Sequence, residues 1–455
     1  MMCNRVVFSH SAIGRAGALA LAAIFATSAS SAIAQLESAK FVPHSDFIKN
    51  TQTAQYSDFS ARPESKVKDE AAFEEMRQSI LDRYQEVEVT HSFVIGQQHY
   101  DCVPVERQPA VRNYNLMNIA TPPPGKHEAK LADERSNVPR DGLGLPSSVD
   151  EAGNAIGCEA KSVPLLRTTL ETLSHFATLQ DFYSKPSAAV RAAQDRAKGI
   201  VAPEPVGHRY SYTSQTVNNL GGNSNLNIWD PYVNTSTGEV FSLSQEWYVG
   251  GSGSSTQTEE VGWVVFPSMF GDELPHIFIY STPDDYSASD TSSNCWNNSC
   301  GDFVVVANGY VLGQKLNVSA TNGSQYVFDA EYELYQGNWW LNVGGTWIGY
   351  YPGSKYKGGQ NTKYTQVIQF GTESYSTGTV WPPEGSGAWP TNGQWAYSAF
   401  QAELWYFDTS YNKYWDSLTA EEPNPSCYDI WGPSYSSSAS WGTYFYEGGP
   451  GGKGC

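Results

Sequence analysis

The sequence predicts an all-β C-terminal domain, a sandwich or barrel of short strands, preceded by a smaller α+β segment. Three observations lead there. Charge divides the 455-residue chain: residues 206–455 carry 7 Lys or Arg against 23 Asp or Glu, a net of −16, whereas residues 1–205 are net −3. Beyond that boundary, runs rich in Val, Ile, Phe, Tyr and Trp recur between Gly, Asn and Ser clusters, as short strands do between turns. Before it, apolar residues recur at three-to-four spacing in a charged background, the period of a surface helix.

The N-terminus reads as an export signal. Arg5 and Arg15 supply positive charge, an apolar run extends from Ala16 to Phe25, and Ala32-Ile33-Ala34 has the small-x-small pattern of a cleavage site. Residues 1–34 are thus expected to be removed, leaving a chain that begins near Gln35 and is secreted to the periplasm or the extracellular space. The apolar run is shorter than the ~20 residues of a membrane-spanning helix, and no membrane partner is expected. Removal also takes Cys3 and leaves an even set of Cys102, Cys158, Cys295, Cys300, Cys427 and Cys455, which suits three disulfides in an oxidising compartment. Zinc is the competing reading of Cys295 and Cys300, but no second Cys or His pair accompanies them, and neither a metal nor a cofactor is expected.

Residues 35–200 form the smaller segment. Phe73, Met76, Ile80 and Tyr84 predict one helix. Ser92–Ile95 predicts a strand, and the run of prolines at 122–124 before Gly125 predicts a loop. Leu166, Leu170, Leu173 and Phe176, following Ser162 and Pro164, predict a helix from about Pro164 to near Pro186, with an Ala-rich helical stretch continuing to Gly199. Ala202-Pro203-Glu204-Pro205 reads as an exposed linker of the kind proteases cut. In residues 201–455, strands are expected at Gly262–Phe266, His276–Tyr280, Phe303–Ala307, Tyr326–Tyr332, Thr365–Phe370 and Ala402–Phe407.

The acidic balance argues against a nucleic-acid partner, which needs clustered Lys and Arg. The second segment has two histidines, His208 and His276, neither in a recognisable catalytic setting, and the chain contains no Gly-x-Ser-x-Gly, His-Glu-x-x-His, phosphate-loop or dinucleotide motif. Any catalysis therefore falls to carboxylates. Two stand in matching settings: strand alternation puts Glu260 on the face of Gly262, and Glu373 on the face of Gly371. A glycine beside an acid is expected to leave room for a substrate backbone. Trp263 alternates to the opposite face and reads as core.

These blocks resemble the neprosin family of glutamic peptidases. The resemblance runs in order through Glu260-Val261-Gly262-Trp263-Val264-Val265-Phe266-Pro267, His276–Thr282, Cys295-Trp296-Asn297-Asn298-Ser299-Cys300, Asn338-Trp339-Trp340-Leu341, Ile348-Gly349-Tyr350-Tyr351-Pro352, Phe370-Gly371-Thr372-Glu373-Ser374-Tyr375, Gly385-Ser386-Gly387 and Gly448-Gly449-Pro450-Gly451 before Cys455. Upstream, Tyr100-Asp101-Cys102-Val103-Pro104-Val105 with Gln108-Pro109-Ala110 resembles the family's activation peptide. The resemblance implies an antiparallel sandwich of two sheets over residues 201–455, catalytic glutamates at Glu260 and Glu373, and disulfides Cys295–Cys300 and Cys427–Cys455, with Cys102–Cys158 left as the remainder. It also implies cleavage after proline. The chain departs from the family at Thr372, where glycine is usual, and at Trp389, where His and Phe normally follow Gly-Ser-Gly.

Two carboxyls sharing one proton can act as base and acid in peptide hydrolysis, and the loss of that proton with rising pH implies an acid optimum. Gln245 is a candidate to hold the oxyanion. The pro-segment, residues 35–200, is expected to cover the glutamate-bearing face as an intramolecular inhibitor of a zymogen. The rival reading is a carbohydrate-binding or glycoside-hydrolysing sandwich, since such proteins are aromatic-rich and glycosidases also use two carboxylates.

Overall fold

A computed structural model describes residues 39–125, 149–185, 207–287, 293–391, 393–437 and 441–455. The expected export signal, the expected Ala-rich helical stretch to Gly199 and the expected linker at 202–205 lie outside the described residues.

In the N-terminal segment, the helix Glu70–Arg83 starts where Asp69 accepts a hydrogen bond from the Ala72 amide at 2.9 Å, and it buries Phe73, Met76 and Ile80 as the spacing predicts. Strand His91–Ile95 pairs with Gln98–Pro104. Ser162–Leu166 then joins as the outer third strand, with Pro164 opposite Cys102. This corrects the expected helix from Pro164. A short apolar run has no period long enough to separate strand from helix, and an edge strand tolerates proline. Helical geometry begins only at Leu170–Ser174, after the Thr169 cap, and resumes at Leu179–Tyr183, where Thr178 and Asp181 form a reciprocal capping box. Residues 122–124 are coil, as expected.

The rest is an antiparallel β-sandwich. One sheet has ten strands, centred on Ala399–Phe407, Gly221–Asn227, Val327–Tyr335 and Asn338–Val343. The other has six, in the order Thr419–Glu421, His208–Asn219, Thr365–Ser376, Glu239–Gly250, Gln257–Val265 and Pro275–Thr282. Alternating side chains of both sheets interlock between them: Val261, Trp263, Ile279 and Phe370 from the smaller sheet meet Leu226, Phe328, Tyr332 and Trp339 from the larger. Trp263 is core, as its alternation predicts, and its indole donates to the Asn227 carbonyl at 3.1 Å. The strand expected at Phe303–Ala307 shrinks to Val304–Val305, which pair with Tyr350 and Gly349, while the Val306 and Ala307 amides both turn to the one Ile348 carbonyl.

All three expected disulfides form: Cys102–Cys158, Cys295–Cys300 and Cys427–Cys455. No helix among the described residues is long and apolar enough to cross a membrane.

The outward face of the six-stranded sheet lies beneath the N-terminal segment. Phe73, Met76, Ile80, Leu173, Phe182 and Tyr183 form one buried cluster with Phe241, Leu243, Val264, Phe266, Phe278 and Trp296. Arg83 donates to the Asn298 and Ser299 carbonyls, both at 2.8 Å, and Gln108 exchanges two hydrogen bonds with Val305. The face that carries both glutamates is thereby removed from water.

Candidate active site

Sheet register brings the two glutamates together. Gln245, at the middle of its strand, sits between two glycines, Gly371 on one neighbouring strand and Gly262 on the other. Glu373 lies two residues past Gly371 and Glu260 two residues before Gly262, so the two acids flank Gln245 diagonally on one face.

The glycines have a different reason from the one the sequence suggests. A Cβ on Gly262 meets the Ser244 carbonyl at 2.0 Å, and one on Gly371 meets the Ser211 carbonyl at 2.3 Å and Tyr212 Cα at 2.4 Å. The space belongs to the adjacent strand's backbone rather than to a substrate, and each glycine is needed for close pairing within the sheet. Thr372, the departure from the family pattern, points away from the site and hydrogen-bonds Glu384 with Ser211 behind the sheet. Trp389 is exposed, 13 residues past the end of the strand Thr365–Ser376.

Each carboxylate is enclosed by donors. Glu260 accepts from Thr258 Oγ1 at 2.9 Å and from Tyr286 OH at 2.5 Å, both on Oε1. Glu373 accepts on Oε1 from His208 Nδ1 at 2.7 Å and Tyr210 OH at 3.0 Å, and on Oε2 from Gln245 Nε2 at 2.9 Å. Between them stands Lys185, from the N-terminal segment. Its Nζ lies 2.5 Å from Glu260 Oε2, 3.0 Å from Glu373 Oε2 and 2.8 Å from Gln245 Oε1. Its backbone is held too: the Lys185 amide donates to Tyr280 OH at 3.1 Å, and the Ser184 carbonyl accepts from the Trp296 indole at 3.2 Å.

Burial and charge compete here. Burial alone raises the Glu373 carboxyl, but the Lys185 charge and the His208 hydrogen bond outweigh it and hold the group down at about 2. Burial disfavours the Lys185 ammonium, yet the charges of Glu260 and Glu373 prevail and keep it above an ordinary lysine. Burial, then the charge of Glu260, pushes the Tyr286 phenol well up, so it remains a donor.

The sequence singled out Glu260, Glu373 and Gln245, and the structure brings all three to one point. It did not single out Lys185, His208, Tyr210, Thr258 or Tyr286. Thr258 shares its strand face with Glu260 through simple alternation and was within reach of sequence reasoning. His208, set aside for lack of a catalytic setting, acquires one only through the register that places Tyr210 opposite Glu373. His276, by contrast, is held by Asp272 and the Gly313 carbonyl away from the glutamates. Among the described residues, the one Cys and carboxylate grouping of metal-binding geometry is Cys295, Cys300 and Asp302, whose two sulfurs are joined in the disulfide.

Among solved structures, scytalido-glutamic peptidase with a transition state analog inhibitor aligns at a TM-score of 0.30 and 7% identity, covering 52% of this chain and 97% of that one. A second structure of it, with a peptide-based transition state analog, gives 0.28 and 9%, covering 53% and 97%. The Neprosin family model matches residues 238–450, the stretch that contains Gln245, Glu260 and Glu373. Residues 238–450 of this chain thus match the Neprosin family, the same family that its ordered motif blocks resemble.

Proposed function

We propose that this protein is the secreted precursor of a glutamic endopeptidase, in which Glu260 and Glu373 share the acid and base roles and the segment up to Lys185 holds the enzyme latent. The observation that carries the reading is the convergence of two buried carboxylates and the Gln245 amide on one small polar position, now filled by the Lys185 ammonium.

Once Lys185 leaves, a water can take the position of Nζ between the carboxylates. One carboxylate accepts a proton from that water as its oxygen bonds to the substrate carbonyl carbon. Gln245 Nε2 keeps one N–H on Glu373 Oε2 and offers its second to the developing oxyanion, and the protonated partner gives its proton to the leaving nitrogen as the peptide bond breaks. The pair begins with one shared proton and ends with one, so the cycle closes. Rising pH removes that proton, and activity is confined to acid conditions.

The described linkage from the N-terminal segment to the sandwich supports latency. Among the described residues, the ion pairs that cross between these parts are those of Lys185, and the rest of the contact is apolar packing and hydrogen bonds, including those of the Arg83 guanidinium to two backbone carbonyls. For specificity, the aromatic groups Phe278, Tyr280 and Trp296 beside the site suit the flat ring of proline. Three disulfides fit an exported protein.

The test is incubation of the purified precursor from pH 2.5 to 8 with proline-containing and proline-free peptides, reading both self-cleavage and product ends by mass spectrometry. The expected result is processing between residues 186 and 206 and peptide products ending in proline, at acid pH only. A precursor that is fully active without processing refutes latency; products with no preference for proline refute the specificity.

A further inference from the structure

The two glutamates have unequal surroundings, and the inequality assigns their roles. We propose that His208 is a positioning residue that keeps Glu373 the ionised member of the pair, so that Glu373 is the general base and Glu260 the general acid. The inference rests on the peptidase reading above.

His208 is fully buried, with Nδ1 2.7 Å from Glu373 Oε1. Its ring is clamped by stacking on Tyr375, with centroids 4.3 Å apart, and on Tyr210 at 6.0 Å. Register fixes this arrangement: His208 lies opposite Tyr375 and Tyr210 opposite Glu373, all on the catalytic face. The imidazole therefore has one orientation in which to serve the carboxylate, with its Nδ1–H donating to Oε1.

With Lys185 removed, the balance of charge changes. Glu373 keeps the imidazole, the Tyr210 phenol and the Gln245 amide, and neither the Nδ1–H nor the amide nitrogen has a lone pair to accept a carboxyl proton. Glu260 keeps two hydroxyls, Thr258 and Tyr286, which are neutral and can accept as well as donate. Two adjacent carboxylates cannot both ionise at acid pH, and the single proton belongs on the carboxyl whose neighbouring hydroxyls can accept from it, Glu260.

The other groups that act on the pair do not reverse this. Arg209, beside His208 in sequence, is turned to the Cys455 carbonyl. Glu259 lies on the opposite face of the Glu260 strand, bound to Asn361. Asp181 bears on Tyr375, Asp284 on Tyr280, and Asp302 is paired with Lys355.

The experiment replaces His208 by Asn, which offers a neutral N–H near the position of Nδ1, in the full chain allowed to process itself. The kcat of the processed enzyme on a proline-containing peptide is followed against pH. The acid limb, where the base becomes protonated, should move up by at least one pH unit, so that activity well below the limb falls about tenfold or more relative to the plateau. The alkaline limb, set by the acid, should stay in place. His208→Gln, a neutral donor of longer reach, guards against a failure of the Asn variant to fold and should shift the same limb. A lowered plateau with an unmoved acid limb in either folded variant overturns the proposal, as does a shift confined to the alkaline limb. Glu260→Gln and Glu373→Gln run alongside: if either retains peptide cleavage, the two-glutamate reading itself fails, whereas loss in both with an unmoved acid limb in the His208 variants sinks only the assignment of roles.

Discussion

Lys185→Met should release the latch, and the size of the effect follows from the geometry. Methionine keeps most of the unbranched stem but removes the ammonium that holds Glu260, Gln245 and Glu373 at 2.5, 2.8 and 3.0 Å. Two buried carboxylates are then left facing each other without a cation between them. Removing one member of a buried ion pair costs about 3–5 kcal/mol, which corresponds to a weakening of the docked segment by roughly 10² to 4 × 10³. The cost is greatest near neutral pH and lessens in acid, where one carboxyl takes up a proton. In the wild type, Glu373 is depressed from an ordinary 4.5 to about 2, so the stabilisation is complete above about 4.5 and is lost as pH falls through about 2. The variant lacks the Lys185 part of that stabilisation, and its processing should begin at higher pH. Intact-mass spectrometry across pH 2–7, with peptide hydrolysis in parallel, reads this directly. If Lys185→Met stays folded, unprocessed and inactive over the same range as wild type, the lysine is not what holds the enzyme latent.

Other expectations concern the site and its scaffold. Gln245→Ala should lower kcat by about 10² to 10³ with a smaller effect on KM, since it removes a donor aimed at the oxyanion; an unchanged kcat would leave Gln245 a structural residue. Gly371→Ala forces a Cβ against Ser211 O and Tyr212 Cα, and should cost about 1–3 kcal/mol in urea unfolding while displacing Glu373; wild-type stability would contradict the close strand approach. The chain should be more stable in acid than at neutral pH. Burial raises Glu259 to about 8 and Glu447 to about 7 in the folded chain, so the folded state binds more protons between about 4.5 and these values, and stability falls as pH rises across that window and levels off above it. The slope approaches about 1.4 kcal/mol per pH unit for each such group, and melting temperatures should decline between about pH 5 and 8 and then level off; a melting temperature rising towards pH 8 would refute this.

Much of the site was legible because β-structure has a short period. Alternation alone placed Glu260 and Gly262 on one face and Trp263 on the other, and ordered motif blocks selected Glu373 among many acids. What alternation cannot supply is register. Gln245 lies centrally only because Glu239–Gly250 pairs with both glutamate strands, and His208 reaches Glu373 only because its strand flanks Thr365–Ser376. The glycines illustrate a second limit: a missing side chain was visible, but the Ser244 and Ser211 carbonyls that require its absence come from other strands. Lys185 is more remote still, since nothing local distinguishes it from the other lysines of its segment until folding carries it into the sheet face. The helix expected from Pro164 failed for a local reason, a five-residue apolar run with pairing partners at Gln98–Pro104 that its own sequence does not reveal.

The most direct test of the central claim is peptide hydrolysis by Glu260→Gln and Glu373→Gln full-length chains beside the wild type at acid pH, with folding checked by circular dichroism. Each glutamine keeps the shape of its site but cannot exchange the proton. The account predicts two folded proteins that neither process themselves nor cut the peptide, while the wild type does both; cleavage by either variant at the wild-type rate would contradict it.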